Sequence, residues 1–249
     1  MVAAFLCGAL PISGFADLTP ETQKAFERYV AAAETRIGTA PRIRALEGQK
    51  IVTAQTALEG GKEIKVPGGL VQDLLGSIFL PHLTIPQVRA VMQAYPDYKR
   101  VFAPEVIESK ILRHDGDRYQ VFLRLYKKQI VTVVLNSTYD VRYSAADPRH
   151  LAVDSRSTRI AEVRRPKDSY DDEYPVGRDT GFLWTLNSYW RFAEADGGVY
   201  AECEAISLSR DVPFGLGFIR KFVERFPRES MDSTLESLRR ALLDPARVP

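Results

Sequence analysis

The stretch GFLWTLNSYWRFAEADGGVYAECEAISLS, residues 181–209, decides the fold. Two runs of alternating character flank Asp196-Gly197-Gly198, which is typical of the tight turn in a β-hairpin. A two-residue turn at Asp196-Gly197 predicts that Trp190 faces Cys203, and the same register determines the neighbouring residue pairs. Moving the turn by one residue changes the partners but leaves each side chain on its own face, because side chains alternate with a period of two.

The two faces of this predicted hairpin differ in chemistry. One places Arg191 opposite Glu202 and Tyr189 opposite Glu204, so we expect it to be charged, internally paired and turned to water. The other is apolar, with large side chains on the first strand and small ones on the second. Its predicted members are Trp184, Leu186, Ser188, Trp190, Phe192, Ala201, Cys203, Ala205 and Ser207.

A helix with an apolar stripe follows the hairpin and is the expected cover of this apolar face. The stripe contains Phe218, Phe222, Phe226, Met231, Leu235, Leu238 and Leu242. Two interpretations remain open, because small residues beneath a helix either let it pack closely or leave an apolar void. On the second interpretation the candidate cavity residues are Trp184, Ser188, Trp190, Cys203, Ala205, Phe218, Phe222 and Arg159.

The rest of the chain predicts two helices and a long run of strands. Thr19-Pro20 begins one helix, which ends at Gly38, and Thr84 with Gln87 forms the capping box of a second. A strand over 70–80 is expected to be interrupted at Gly76. Further strands are predicted over 104–113, 118–127, 130–143, 149–163, 181–194 and 198–209. The charged segment 164–181 is predicted to be a loop, either solvated surface or a lid.

No reactive constellation is recognisable in the sequence. The histidines His82, His114 and His150 lack metal-ligand spacing, and no phosphate-binding or nucleophile motif occurs. We therefore predict no catalytic residue, no metal and no cofactor. Arg159 remains ambiguous. Sharing a face with Ser155 and Ser157, it would orient an acidic ligand group if buried, and would form an exposed cross-strand pair otherwise.

The charge and hydrophobicity of the whole chain limit the classes of function that we expect. The 249 residues carry a net charge of +2, which gives no electrostatic argument for nucleic acid. No apolar stretch is long enough to cross a bilayer. Residues 1–16 carry no charge and end with Gly14 and Ala16 at the spacing of a signal-peptidase site, which predicts export. The alternative is an apolar N-terminal strand or helix of a cytoplasmic protein.

The segment TIPQVRAVMQAYPDYKRVFAPEVIESKIL, residues 84–112, resembles the START-like helix-grip superfamily, also called SRPBCC. The hairpin and the terminal helix resemble the last strand and gripping helix of the same superfamily. The resemblance covers roughly residues 66–244. It implies an α+β domain over 66–249, with a curved antiparallel sheet of about seven strands around a long C-terminal helix. Residues 17–65 would form an N-terminal extension with a helix and short strands.

The resemblance also implies an apolar cavity between helix and sheet. The leading hypothesis is therefore binding or transport of a hydrophobic, lipid-like small molecule. An enzyme of the cyclase or hydrolase type on the same fold is the first alternative, and it needs two titratable groups at one cavity point. The second alternative is a protein-interaction module that docks through the 17–65 helix or the 164–181 loop.

Overall fold

The computed structural model describes residues 16–40, 42–128, 132–211 and 217–244, and gives the backbone alone for residues 16 and 217–226. Its helices are α1 (Pro20–Thr39), α2 (Ile85–Gln93), α3 (Tyr98–Val101) and α4 (Gly217–Leu243). Its strands are β1 (Ala16–Asp17), β2 (Lys50–Ala54), β3 (Leu58–Glu59), β4 (Lys62–Glu63), β5 (Gly69–Pro81), β6 (Val106–Asp115), β7 (Arg118–Lys128), β8 (Thr132–Ser144), β9 (His150–Glu162), β10 (Arg178–Asp179), β11 (Thr185–Ala195) and β12 (Gly198–Arg210).

One antiparallel sheet of eight strands, in the order β2-β5-β12-β11-β9-β8-β7-β6, organises the molecule. The α+β helix-grip architecture expected from the sequence is confirmed. The sheet has one strand more than the approximate count of seven, because β2, from the 17–65 segment, pairs with β5 along Lys50–Ala54. Strands β1 with β10 and β3 with β4 form two separate small pairs.

The hairpin β11–β12 has the predicted register. Trp190 pairs with Cys203, Ser188 with Ala205, and Phe192 with Ala201. Asp196 and Gly197 both have positive φ, 53° and 78°, which is the backbone that a tight two-residue turn requires. The turn residues therefore fix the register of the whole hairpin.

The predicted helix starts are also confirmed. The Thr19 hydroxyl oxygen accepts a hydrogen bond of 3.1 Å from the Thr22 backbone N–H at the start of α1. At α2 the Thr84 backbone N–H donates to Gln87 Oε1 at 2.9 Å, as in a capping box. Both caps satisfy backbone donors that the first helical turn leaves unpaired.

Helix α4 packs on the sheet face that carries Trp190 and Cys203, called here the α4 face. Met231, Leu235 and Leu238 of α4 are buried in the same cluster as these two residues. The helix is continuous through Pro227.

Strand β5 runs without interruption through Gly76, so the predicted break there is wrong. A β-carbon at Gly76 would lie 2.7 Å from Leu235 Cδ1 and 2.8 Å from Met231 Sδ. These separations are shorter than van der Waals contact. Gly76 therefore serves the close approach of α4 to the sheet rather than the end of a strand.

Helix α1 covers the opposite sheet face, called here the α1 face. Its apolar side chains pack against the sheet in a second cluster with Tyr189, Ile206 and Leu208; those from α1 are Phe26, Tyr29, Ala33 and Ile37. The prediction that this charged face is turned to water is wrong, because Glu202 and Glu204 are each only 4% exposed. The 17–65 segment thus contributes an edge strand and the cover of a sheet face.

The N-terminal prediction lies almost entirely outside the described residues. Of the proposed signal peptide only Ala16 is described, and its backbone pairs with Asp179. Within the described ranges, no helix combines the length and apolar character needed to span a membrane.

Candidate functional site

The α4 face divides into a packed half and an open half. The packed half includes a row of paired residues across five strands, in the order Gly76, Cys203, Trp190, Val153 and Tyr143. All five are buried. This row lies beside Met231 and Leu235 of α4, so its packing is that of an ordinary protein interior.

The next rows of the same face are different. The row adjoining Trp190 runs through Leu74, Ala205, Ser188 and Ser155 on four consecutive strands. All four side chains are only half-buried, although they stand on the face that α4 grips. We call the half-buried residues here the open half of the α4 face: Leu74, Ser155, Ser157, Leu186, Ser188, Ala205 and Ser207.

The open half is apolar with interspersed hydroxyl groups. Leu74, Leu186 and Ala205 pack at the edge of the main core while retaining accessible surface. Ser157 Oγ accepts a hydrogen bond of 3.0 Å from the Leu186 backbone N–H. Apolar side chains with a few interspersed polar groups are the usual lining of small-molecule sites.

Four of the predicted cavity residues lie on the α4 face. Ser188 and Ala205 belong to the open half, and Trp190 and Cys203 form the packed row beside it. Phe218 and Phe222 lie on α4, but their side chains are outside the described part of the chain. Their place in the site remains a prediction.

Trp184 does not share the α4 face, and this part of the sequence prediction is wrong. Trp184 is 6% exposed and packs in the α1 cluster with Tyr189 and Ile206. Its indole Nε1 donates to Asp179 Oδ1 at 3.1 Å. Strand β11 begins only at Thr185, so the side-chain alternation of the strand does not extend to Trp184.

Arg159 is also on the other side of the sheet from Ser155 and Ser157. A bulge in β9 makes Ser157 pair with Tyr139 while Arg159 pairs with the adjacent residue, Thr138. One inserted residue reverses the facing of the side chains that follow it. Arg159 forms an ion pair with Glu173 and its side chain is 42% exposed, so Arg159 is not the buried arginine of the first interpretation. The pair is exposed as the second interpretation expects, but its partner lies in the charged loop rather than on the neighbouring strand.

The charged loop 164–181 is tied to the same side as Arg159. Asn136 donates from Nδ2 to Glu173 Oε1 and to the Tyr170 carbonyl, both at 2.7 Å. Within the loop, Arg165 Nε donates a hydrogen bond of 2.9 Å to Asp172 Oδ2. These contacts place the loop against strand residues that face away from the open half.

A buried polar cluster lies under α1. Arg36 donates to Glu204 through both terminal nitrogens, at 2.6 and 3.1 Å, and to Asp73 Oδ2 at 2.8 Å. The Tyr29 hydroxyl donates to the same Asp73 oxygen at 3.1 Å. Burial raises the pKa of the Asp73 carboxyl, the nearby Glu204 carboxylate raises it further, and the Arg36 guanidinium opposes both.

This pair of acids does not provide the cavity chemistry that the enzyme hypothesis requires. Asp73 precedes Leu74 in β5 and Glu204 precedes Ala205 in β12, so both carboxyls point to the α1 face. Cys203 is buried, and burial raises the pKa of its thiol. In the described ranges, no group of three or more His, Cys, Asp or Glu side chains is arranged to hold a metal ion.

Two depressions on the surface are separate from the α4 face. One, of about 900 Å³, runs along α1 and includes Lys24, Ala31 and Pro67. The other, of about 650 Å³, includes Arg42 and Tyr200. Both are open to solvent.

Sequence reasoning missed Leu74 and Tyr139 of the α4 face, and the Arg36–Asp73–Glu204 cluster. The alternation in β8 was the available signal for Tyr139, which lies between Val121 and Ser157 in the sheet. No local signal marks the cluster, since Arg36 and Glu204 are 168 residues apart.

Comparison with solved structures identifies the fold as START-like. Human STARD10 aligns with a TM-score of 0.50 at 8% identity, over 88% of this chain and 87% of STARD10. TTHA0849 from Thermus thermophilus aligns with a TM-score of 0.50 at 12% identity, over 70% of this chain and 99% of that protein. A fragment of a STAR-related lipid transfer protein from Xanthomonas axonopodis aligns with a TM-score of 0.48 at 16% identity, over 77% of this chain and 99% of the fragment.

The two alignments with a TM-score of 0.50 show a shared fold and nothing finer. No family model matches the sequence, and no curated protein is significantly similar to it. At such low identity the function has to be argued from the site itself.

Proposed function

We propose that the protein binds a hydrophobic small molecule against the open half of the α4 face, under the first part of α4. The observation that carries the proposal is the change in burial between neighbouring rows. Cys203 and Trp190 are buried, whereas Ala205 and Ser188, two residues away on the same strands and face, are not. Helix α4 packs on this sheet face, yet part of the apolar surface remains accessible. Such a surface is suited to binding an apolar ligand.

The course of α4 supports this location. Arg228 donates to the Val52 carbonyl at 2.7 Å, so the second part of α4 follows the β2 edge of the sheet. The helix extends ten residues before Pro227, which at 1.5 Å per residue is about 15 Å. That length is sufficient for one wall of a site the size of a lipid-like molecule.

The chemistry of the open half favours an apolar ligand over an ionic one. Its side chains are leucine, alanine and serine, with none that carries a charge. A charged group placed against them would lose hydration without gaining an ionic partner, which is costly. Hydroxyl groups can orient a polar atom of the ligand without binding an ion.

The test is native mass spectrometry of the purified protein combined with extraction of bound lipids and titration with N-phenyl-1-naphthylamine, a neutral fluorescent probe. We expect either a co-purifying apolar molecule or binding of the probe. Ala205→Phe fills the open half and should weaken probe binding at least tenfold.

Ala31→Phe is the matched control, because Ala31 is exposed on α1 and borders the surface depression there. It should leave probe binding unchanged. If Ala31→Phe weakens binding while Ala205→Phe does not, the ligand binds at the surface and the proposal is wrong. A wild-type protein that neither carries nor binds any apolar molecule would also contradict it.

A further inference from the structure

Tyr139 stands at the edge of the open half with an unusual hydroxyl group. It lies on β8, pairs with Ser157 of β9 and Val121 of β7, and is 4% exposed. Among the described residues, its hydroxyl oxygen is buried and has no hydrogen-bond partner. Buried polar groups are nearly always paired, so this hydroxyl requires an explanation.

Five other buried tyrosines have a hydrogen-bond partner for the hydroxyl group. These partners are the Asp73 carboxyl group for Tyr29, the Met92 carbonyl for Tyr98, Glu34 for Tyr189, and each other for Tyr95 and Tyr143. Tyr139 differs from them in pairing with a residue of the open half, Ser157. The neighbouring Ser137 hydroxyl donates to the Leu123 carbonyl at 2.7 Å, so its own hydrogen is not available to the Tyr139 oxygen.

The phenol of Tyr139 is a neutral donor over the physiological pH range. Burial raises its pKa to about 12, with the Ser137 hydroxyl acting in the opposite direction. A neutral phenol donates to charged and uncharged oxygens alike, so the surroundings decide between them. Ser155, Ser157 and Leu186 carry no charge, and a carboxylate placed beside them would lose its hydration without gaining a cation, which favours an uncharged oxygen.

We propose that the Tyr139 hydroxyl donates a hydrogen bond to an uncharged oxygen of the ligand, so that the ligand class is an apolar molecule bearing a hydroxyl, ketone or ester group. This inference rests on the proposed function and specifies its chemistry. It assigns Tyr139 to ligand orientation rather than to support of the fold. In the empty protein the unpaired hydroxyl destabilises the native state, and the ligand relieves that cost.

The experiment compares 1-decanol with ionised decanoate at pH 8 by isothermal titration calorimetry, in the wild type and in Tyr139→Phe. The wild type should bind decanol more tightly than decanoate. Tyr139→Phe should weaken decanol binding about fivefold to tenfold, the usual effect of losing one neutral hydrogen bond. Without ligand, its melting temperature should equal or exceed that of the wild type, since the substitution removes an unpaired polar group.

Tyr143→Phe is the matched control, because the Tyr143 hydroxyl donates to the Met92 carbonyl at 2.6 Å. It should lower the melting temperature and leave decanol binding unchanged. Decanol binding that is equal in the wild type and Tyr139→Phe would overturn the role of Tyr139 but not the proposed function. Decanoate binding as tight as decanol would overturn the uncharged ligand class, and a failure of the wild type to bind either probe would contradict the proposed function itself.

Discussion

Arg36 on α1 and Glu204 on β12 are joined by two hydrogen bonds, of 2.6 and 3.1 Å, across the α1 face of the sheet. The pairing is the forked geometry that guanidinium and carboxylate groups prefer. This ion pair links α1 to β12 at a largely buried position. Asp73 belongs to the same cluster, because Arg36 also pairs with it.

Arg36→Met should destabilise the protein by about 3 kcal/mol or more. The substitution keeps most of the side-chain volume but leaves the Asp73 and Glu204 carboxyls without their cation, and breaking a buried pair in this way is costly. Urea unfolding measures the effect. The control is Arg156→Met, which removes an ion pair with Glu34 in which the arginine side chain is 57% exposed and should cost about 1 kcal/mol or less. Equal effects of the two substitutions would contradict the assignment.

Stability should fall as the pH rises from 5 to 9. Burial raises the pKa of Asp73. At a pH above the ordinary carboxyl range, the unfolded chain has therefore lost a proton that the folded state still holds. This contribution to the free energy of unfolding is fully present below the pKa that Asp73 has in the unfolded chain. It is lost as the pH rises through the pKa that Asp73 has in the folded protein. Burial also raises the pKa values of Glu162, Asp179 and Glu202, which contribute with the same sign.

Urea unfolding at several pH values measures this slope, and we expect a loss of at least about 1 kcal/mol, the equivalent of roughly one pKa unit. Asp73→Asn removes the titrating group and should flatten the profile. Glu108 and Glu173 have lowered pKa values, so their contribution has the opposite sign, and it is confined to the acidic end of this range, where unfolded glutamates still hold some protons. A stability that rises with pH would show that the Asp73 carboxyl is ionised in the folded protein.

Gly76→Ala should destabilise the protein by about 1–3 kcal/mol, because the new methyl group meets Leu235 and Met231 at less than van der Waals distance. The matched control is Gly38→Ala in α1, where an added β-carbon has no neighbour within 4 Å. That change should be neutral or stabilising by up to about 1 kcal/mol, since alanine favours a helix. Thermal and urea unfolding of the two variants separate these outcomes. If Gly76→Ala unfolds like the wild type, then α4 does not approach the sheet as closely as described.

The two tryptophans should respond differently to a ligand. Trp190 adjoins Ser188 on the α4 face, whereas Trp184 is under α1. Titrating 1-decanol into Trp184→Phe, which retains Trp190, should shift the emission. The same titration of Trp190→Phe, which retains Trp184, should not. A response confined to Trp184 would place the ligand on the α1 side of the sheet.

Local chemistry explains what the sequence could predict. The Asp196-Gly197 turn determines the hairpin register, and the Thr84–Gln87 pair determines where α2 begins, because each requires only residues close in the chain. The helix-grip architecture was implied by the resemblance of residues 84–112, the hairpin and the terminal helix to a known superfamily.

The errors arise where local alternation is interrupted or where a distant segment intervenes. Trp184 precedes the first residue of β11, and the bulge in β9 turns Arg159 to the other side of the sheet. A strict alternation of side chains therefore predicts the wrong face for both residues. Glu204 was assigned to water because its partner Arg36 belongs to a helix at the other end of the chain. Tertiary contacts of this kind leave no pattern in the strand itself.

Successive residues of β12 belong to different layers of the molecule, since Glu202 and Glu204 join the ion-pair layer while Cys203 and Ala205 line the other side. Anyone redesigning the proposed binding site can therefore vary alternate positions of this strand and must leave the intervening ones untouched. A library that randomises the strand without regard to this parity would lose most of its members to misfolding before their selectivity could be examined.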